Sequence, residues 1–278
     1  TPQTAAPAAP AQPTKFGTFG GVFTPSVLTI VGVIMFLRFG TVVGYAGLGG
    51  TLLILLAAKS ITFLTGLSLS SIATNMRVRG GGAYYLISRS LGVEFGGVIA
   101  LFFYVAQAVA VTLYVVGFTE ALFSVFPGLP LSFREAATAV NLAVFLCVYI
   151  GAGWTIRVQY GILAALGVSV LSFAAGAALG FSPAVLRANL QPAWTAEHTF
   201  FKMFALFFPA VTGIMAGVNM SGDLKDPSRA IPAGTLAAIG VSGLLYAGIT
   251  VLLAGSVPRS ALLGSGFAVK DRALFPAL

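Results

Sequence analysis

The sequence PSVLTIVGVI at residues 25–34 is a hydrophobic run that contains proline, threonine and glycine in that order. A second run, PAVTGIMAGV at residues 209–218, repeats this order. Because proline removes a backbone donor and glycine weakens a helix, each run predicts a helix that is interrupted part of the way along. Either run alone would more simply be a kink, but the pair in register indicates two related, broken helices.

The composition indicates that lipid surrounds most of this chain. Of its 278 residues, 58% are hydrophobic and 8% are charged, and the mean hydropathy is +0.97. A soluble domain is usually about 25% charged, because its surface faces water. The net charge of +8 is spread between apolar segments, which favours a role in membrane orientation over nucleic-acid binding. The single cysteine, Cys147, excludes a disulfide within the chain.

Seven stretches are apolar over the roughly 20 residues that a membrane-spanning helix needs. They are residues 21–46, 49–73, 97–124, 137–153, 159–181, 199–220 and 232–254. We therefore predict an all-α integral membrane protein, with a transmembrane transporter domain over residues 15–278. Residues 1–14 are rich in alanine and proline and predict a disordered tail. The sequence stops where an apolar segment restarts, so we expect the domain to be truncated at its C-terminus.

The basic residues between the predicted spans indicate the orientation of the chain. One set of alternate loops, together with the N-terminal tail, holds Lys15, Arg77, Arg79, Arg89, Arg157, Lys225 and Arg229. Because basic loops remain on the cytoplasmic side, we expect a cytoplasmic N-terminus in the plasma membrane. The last segment, with Arg259, Lys270 and Arg272, runs against this trend.

The two interrupted runs are typical of a secondary transporter. Five spans separate their starting points, so the two segments cross the membrane in opposite directions, as an inverted repeat requires. Matched interruptions in two halves of a transporter indicate its substrate site. A broken helix exposes carbonyl oxygens that can replace the water shell of a cation, and N–H groups that attract an anion. One broken helix can therefore hold both ions without a carboxylate.

Three long stretches resemble the cation–chloride cotransporters of the amino acid–polyamine–organocation superfamily, which include sodium–potassium–chloride and potassium–chloride cotransporters. They are residues 21–44, which begin GVFTP; residues 71–97, which contain RGGGAYYLISRSLG; and residues 207–235, which begin FFPAVTGIMAG. The resemblance implies a LeuT-type inverted-repeat transporter fold, incomplete here, with the first and sixth spans broken at mid-membrane. It indicates an N-terminal fragment, of about seven spans, of a prokaryotic member.

The resemblance also implies particular ion sites. Potassium would be bound by the backbone of Thr29, Ile30 and Pro209 and by hydroxyl oxygens of Tyr114 and Thr212. One chloride would bind the N–H groups of Gly32, Val33 and Ile34, and a second those of Gly213, Ile214 and Met215. Leu28 and Val31 would contribute to a sodium site that needs the eighth span. The first cation position is commonly asparagine in the animal proteins of this family and is Thr29 here.

Arg38, Glu120 and Lys59 fall within predicted spans, where charges are costly and usually functional. Arg38 lies eight residues beyond Ile30, and Glu120 lies six beyond Tyr114, which places both roughly 9–12 Å outside the cation site. We predict that they pair as an extracellular gate; the alternative is two side chains that reach the interface independently. Lys59 lies near the middle of the second span, and the sequence leaves its role open.

The interrupted spans and the resemblance together predict symport of chloride with an alkali cation by alternating access; the cation is potassium, with sodium as a second candidate. We expect no cofactor and no metal beyond the alkali cation. We expect a lipid bilayer and small inorganic ions as partners, no nucleic acid, and a homodimer as one possible assembly. No nucleophile–base pattern or metal cluster indicates an enzyme. One alternative is an amino-acid or polyamine permease of the same superfamily, and a second is a non-transporting membrane subunit or a channel.

Overall fold

The described part of the chain is helical almost throughout, which confirms the all-α prediction. The computed structural model describes residues 15–76, 78 and 80–264. Within these residues the extended structure is limited to one isolated bridge, between Phe16 and Leu224. The predicted tail at residues 1–14, the loop residues Arg77 and Arg79, and the residues after 264 lie outside the described residues.

Twelve α-helices follow one another along the described residues. They are α1 (Thr24–Ile30), α2 (Val33–Leu37), α3 (Phe39–Asn75), α4 (Gly82–Leu91), α5 (Val93–Val125), α6 (Phe133–Ile150), α7 (Ala152–Leu179), α8 (Pro183–Ala188), α9 (Phe200–Phe207), α10 (Met215–Asn219), α11 (Pro227–Ser256) and α12 (Arg259–Gly264). A π-helical turn at Phe19–Phe23 precedes α1, and 3-10 turns occupy Phe208–Val211 and Ser221–Asp223.

Seven helical segments of the described chain are long and apolar enough to cross a membrane, as the sequence predicts. They are Phe19–Leu37, Phe39–Asn75, Val93–Val125, Phe133–Ile150, Gly153–Leu179, Phe200–Asn219 and Pro227–Ser256. The first and sixth of these are the two that contain non-helical residues at the predicted interruptions. The short helix α4 lies between the second and third spans, and the short helix α8 lies between the fifth and sixth.

The helix α3 is divided by a kink at Gly47. Its 37 residues would extend about 55 Å as a straight helix, which is far longer than the roughly 30 Å hydrocarbon core of a bilayer. Gly47 has φ +65° and ψ −178°, a conformation available only to glycine. A Cβ atom there would lie 2.6 Å from the Gln191 carbonyl oxygen. The segment before Gly47 therefore continues the first span, and the segment after it forms the second.

The core lies where α3 and α11 pack along each other and against the first and sixth spans. Its centre is an aromatic cluster of Phe39, Phe207 and Tyr246, all three fully buried. The ring centroids of Phe39 and Phe207 each lie 5.5 Å from that of Tyr246, in edge-to-face geometry. Such pairs fix the ring positions more strongly than aliphatic contacts do. The cluster therefore fixes α11 beside both interrupted spans.

Backbone contacts hold the beginning of the first span against the end of the sixth. The Phe16 N–H donates to the Asp223 carbonyl at 2.8 Å, and the Lys225 N–H donates to the Phe16 carbonyl at 2.9 Å. Glycine allows close approach nearby: a Cβ atom at Gly217 would lie 2.3 Å from the Val22 side chain. These contacts place the two interruptions at the same level of the bundle.

Candidate functional site

The first interruption lies between α1 and α2. The helix α1 ends at Ile30, and Val31 has φ −86° and ψ +58°, which is outside the helical region. The Val31 N–H still donates to the Val27 carbonyl at 2.8 Å, and the Met35 N–H donates to the Gly32 carbonyl at 3.1 Å. The helix therefore ends and restarts within three residues, which frees carbonyl oxygens on one side and N–H groups on the other.

The second interruption lies between α9 and α10. A 3-10 turn at Phe208–Val211 follows α9, Thr212 is extended, and Gly213 has φ +105°. The Thr212 hydroxyl donates to the Pro209 carbonyl at 2.7 Å, and the Ala216 N–H donates to the Gly213 carbonyl at 3.0 Å. A proline, a threonine and a glycine thus form the break, as their order in the sequence predicts.

All five residues predicted to bind the cation line one cavity of about 190 Å³. They are Thr29, Ile30, Tyr114, Pro209 and Thr212, with Gly32 and Ala210 beside them. The remaining wall comes from apolar residues of α5, which are Ala106, Val109, Ala110 and Leu113. A water molecule occupies roughly 30 Å³ in the liquid, so the cavity has room for an ion with part of its hydration shell.

The hydroxyl groups around this cavity can act as cation ligands. The Thr212 hydroxyl uses its proton on the Pro209 carbonyl, and its oxygen keeps lone pairs for another partner. The Thr29 hydroxyl donates to the Pro25 carbonyl at 2.7 Å, so it too has its proton engaged within the helix. Tyr114 reaches the cavity from α5 and is 37% exposed. Carbonyl and hydroxyl oxygens without a carboxylate are a ligand set for an alkali cation.

The predicted chloride residues lie at the restarts of the two broken helices. Gly32 lines the cavity, and Val33 and Ile34 open α2. Gly213 and Ile214 precede α10, and Met215 is its first residue. Of the predicted sodium residues, Leu28 lies in the last turn of α1 and Val31 is the buried residue of the first break.

The Arg38 guanidinium lies 3.8 Å from the Glu120 carboxylate, and the two side chains are 44% and 38% exposed. Arg38 separates α2 from α3, with a non-helical φ of −125°. Its guanidinium also donates to the Leu37 carbonyl at 3.4 Å. The pair links the end of α2 to α5, which carries Tyr114.

Tyr246 is a site residue that the sequence analysis missed. Its buried hydroxyl lies 2.9 Å from the Ile30 carbonyl oxygen and 3.1 Å from the Ala210 carbonyl oxygen, one from each interruption. The available signal was a polar aromatic residue in the apolar seventh span, the same kind of signal that marks Tyr114.

The structure also shows the partners of Lys59, whose role the sequence left open. The Lys59 nitrogen donates to the Ser242 hydroxyl at 2.6 Å and lies 5.8 Å from the centre of the Tyr246 ring.

The fold and this cavity define the class of protein: a multi-pass membrane transporter with two interrupted spans around a central site. The chain belongs to the amino acid permease family, because the family model described as "Amino acid permease" matches residues 21–269. This assignment confirms that the protein is a transporter rather than an enzyme.

The chain is also similar to members of solute carrier family 12. It is 42% identical over 265 residues to member 2 from Homo sapiens, with 89% of this chain and 22% of that protein covered. It is 40% identical over 266 residues to member 1 from Mus musculus, with coverage of 89% and 24%. Member 2 from Squalus acanthias is 42% identical over 268 residues, with coverage of 89% and 22%.

These matches support the resemblance to the cation–chloride cotransporters. The chain spans less than a quarter of the length of the three relatives. All three are animal proteins, so the expectation of a prokaryotic member gains no support from them.

Proposed function

We propose that this chain forms part of a symporter that moves chloride together with an alkali cation by alternating access. The observation that carries the proposal is the cavity between the two interruptions, which gathers the five residues predicted for the cation from three different spans. Their oxygens are carbonyls and hydroxyls, which suit potassium, and the similarity to solute carrier family 12 supports the same substrate class.

Chloride is proposed to bind at the restarts of the broken helices. The N–H groups of Gly32, Val33 and Ile34 open the outer half of the first span, and those of Gly213, Ile214 and Met215 open the second half of the sixth. Exposed N–H groups at the positive end of a helix attract an anion. An anion beside the cation lowers the electrostatic cost of both ions in a site of low dielectric constant, which is the physical basis for coupling.

Alternating access requires that the two interrupted spans move against the rest of the bundle. The Arg38–Glu120 pair lies on the outer part of the first span and on α5, where it can close the path to the cavity. We propose it as the extracellular gate. We place the protein in the plasma membrane with its N-terminus in the cytoplasm. In this orientation α1 and α10 lie on the cytoplasmic side of the site. Coupling to sodium through Leu28 and Val31 and assembly as a homodimer are further parts of this proposal.

The second candidate is an amino-acid permease, which the name of the matching family favours. An amino acid carries an ammonium and a carboxylate group. The first break reads Ile30-Val31-Gly32-Val33-Ile34, with one glycine between bulky neighbours. This composition suits a small ion better than an organic substrate, and it favours the symporter.

Uptake in cells that express the full-length gene product containing this sequence tests the proposal. We expect uptake of radioactive rubidium, a potassium substitute, that stops when gluconate replaces chloride. Accumulation of a labelled amino acid without chloride dependence would identify a permease instead. Single-channel currents carried by either ion would identify a channel.

A further inference from the structure

Lys59, Ser242 and Tyr246 are polar residues that connect the second span to the ion site. The Lys59 nitrogen donates to the Ser242 hydroxyl at 2.6 Å, and that hydroxyl donates to the Ala238 carbonyl at 2.6 Å. Because the Ser242 proton is used in this way, Ser242 is the acceptor and Lys59 the donor in the contact between them. This contact holds the Lys59 nitrogen over the Tyr246 ring, 5.8 Å from its centroid.

The Tyr246 hydroxyl carries this contact into the site. It has one proton and two carbonyl oxygens within hydrogen-bond distance, Ile30 at 2.9 Å and Ala210 at 3.1 Å. The proton is thus shared between the two interruptions, and Ile30 is one of the proposed cation ligands. Phe39 and Phe207 pack edge-on against the ring and keep it in this position.

Within the part of the chain that the structure describes, Lys59 has no acidic partner to balance its charge. Among the residues that the structure describes, the ion pairs are Arg38–Glu120 and Arg229–Asp226, and neither involves Lys59. The groove of about 440 Å³ beside Lys59 is lined by Leu56, Ser60, Phe63, Ile239, Gly240, Gly243 and Leu244, none of which is acidic. An ionisable residue within a span is expensive and is usually retained for a function.

We propose that Lys59 is a positioning residue of the ion site, whose positive charge acts through Tyr246 to weaken cation binding and strengthen chloride binding. This inference rests on the proposed function. A cation over the face of a phenol ring makes its hydroxyl a stronger donor. A stronger bond to the Ile30 carbonyl leaves that oxygen less able to bind a cation. The direct field of the charge has the same sign, because it repels a cation and attracts an anion.

The geometry sets the size of the effect. The successive contacts from Lys59 through Tyr246 to Ile30 place the nitrogen within roughly 12 Å of the carbonyl oxygen, where a unit charge changes affinity about tenfold at an effective dielectric constant of about 20. The effect on the two ions is opposite in direction. Structural damage would instead weaken the binding of both ions.

Transport kinetics of Lys59 variants in the full-length gene product test the proposal. In K59Q the side chain stays polar, but the charge is gone. We expect the KM for rubidium to fall by about three- to tenfold and the KM for chloride to rise by a similar factor. K59R keeps the charge, has room in the adjoining groove, and should keep both constants near those of the wild type. K202M removes an exposed lysine of α9 and serves as the control.

The proposal is overturned if K59Q leaves both constants unchanged, raises both together, or behaves like K59R. K59M is measured in the same way where K59Q does not reach the membrane, with the same expected result. If neither variant reaches the membrane, rubidium- and chloride-dependent thermal stabilisation of the purified variants replaces transport, with opposite shifts still required. A wild-type protein without chloride-dependent rubidium uptake would instead contradict the proposed function.

Discussion

Gly213 of the sixth span lies directly against Thr29 of the first. A Cβ atom built on Gly213 would lie 2.6 Å from the Thr29 Cγ2 atom and 2.8 Å from its Cβ atom. Gly213 also has φ +105°, which a residue with a side chain adopts only under strain. Gly213 in the second interruption therefore contacts the last turn of α1, directly before the first interruption, and the site depends on a glycine at this position.

The first prediction concerns Gly213→Ala. The added methyl group must displace Thr29 and adopt a strained φ, which costs about 1–3 kcal/mol for the backbone alone. We expect rubidium uptake to fall at least tenfold and the melting temperature of the purified protein to fall. Gly161→Ala, at a helical glycine with no neighbouring atom within 4 Å, is the control and should leave both unchanged or slightly raise stability. Normal transport by Gly213→Ala would contradict this account of the contact.

The second prediction concerns the Tyr114 hydroxyl. Tyr114→Phe removes one oxygen from the cavity and keeps the ring, so the apolar wall of the site remains. We expect the KM for rubidium to rise roughly tenfold, as for the loss of one favourable polar contact, with a smaller change for chloride. Tyr149→Phe, at an exposed tyrosine of α6, is the matched control. Equal changes in the two KM values would argue against a cation ligand at this position.

The third prediction concerns the ion pair of Arg38 and Glu120. At 3.8 Å and with both side chains more than a third exposed, the pair contributes no more than about 1 kcal/mol to stability. We therefore expect Arg38→Glu and Glu120→Arg each to reduce transport strongly while the melting temperature changes little. The double swap should restore much of the activity. If the double swap transports no better than either single variant, the two side chains act independently and are not a gate.

The fourth prediction concerns the kink at Gly47. Gly47→Ala forces a side chain into φ +65° and places its Cβ atom 2.6 Å from the Gln191 carbonyl oxygen. We expect the melting temperature in detergent to fall, with a loss of about 1–3 kcal/mol from the backbone strain. Gly167→Ala, which has open space around it, should not show this loss. Unchanged stability of Gly47→Ala would mean that the two parts of α3 can join without the kink.

The local features of the fold could be predicted from the sequence. Hydrophobic length gives the membrane spans, because each span must satisfy its backbone hydrogen bonds within itself. Proline and glycine give the interruptions, because their effect on a helix is confined to the turn in which they lie. The break at Val31 and Gly32 and the break at Thr212 and Gly213 therefore fall where the sequence predicts them.

Residue positions across spans could be predicted only through resemblance to a family. Thr29, Tyr114 and Thr212 lie on three different spans, and nothing in the helical period of any one span fixes how far each residue is rotated toward the others. Tyr246 shows the limit of that route, because no motif marked it and its role is visible only from its two carbonyl partners. Lys59 was noticed as a charge within a span, but its contacts with Ser242 and Tyr246 depend on how α3 packs against α11.

The sequence alone thus determined that this is an all-α membrane protein with two matched, interrupted spans. Composition and local helix breaking carry that information, and both are properties of short stretches of chain. Tertiary structure alone decided that Gly213 contacts Thr29, that five oxygen-bearing residues share one cavity, and that Tyr246 joins the two interruptions. These relationships arise from close packing between residues far apart in the chain, where a single methyl group decides whether two helices can meet.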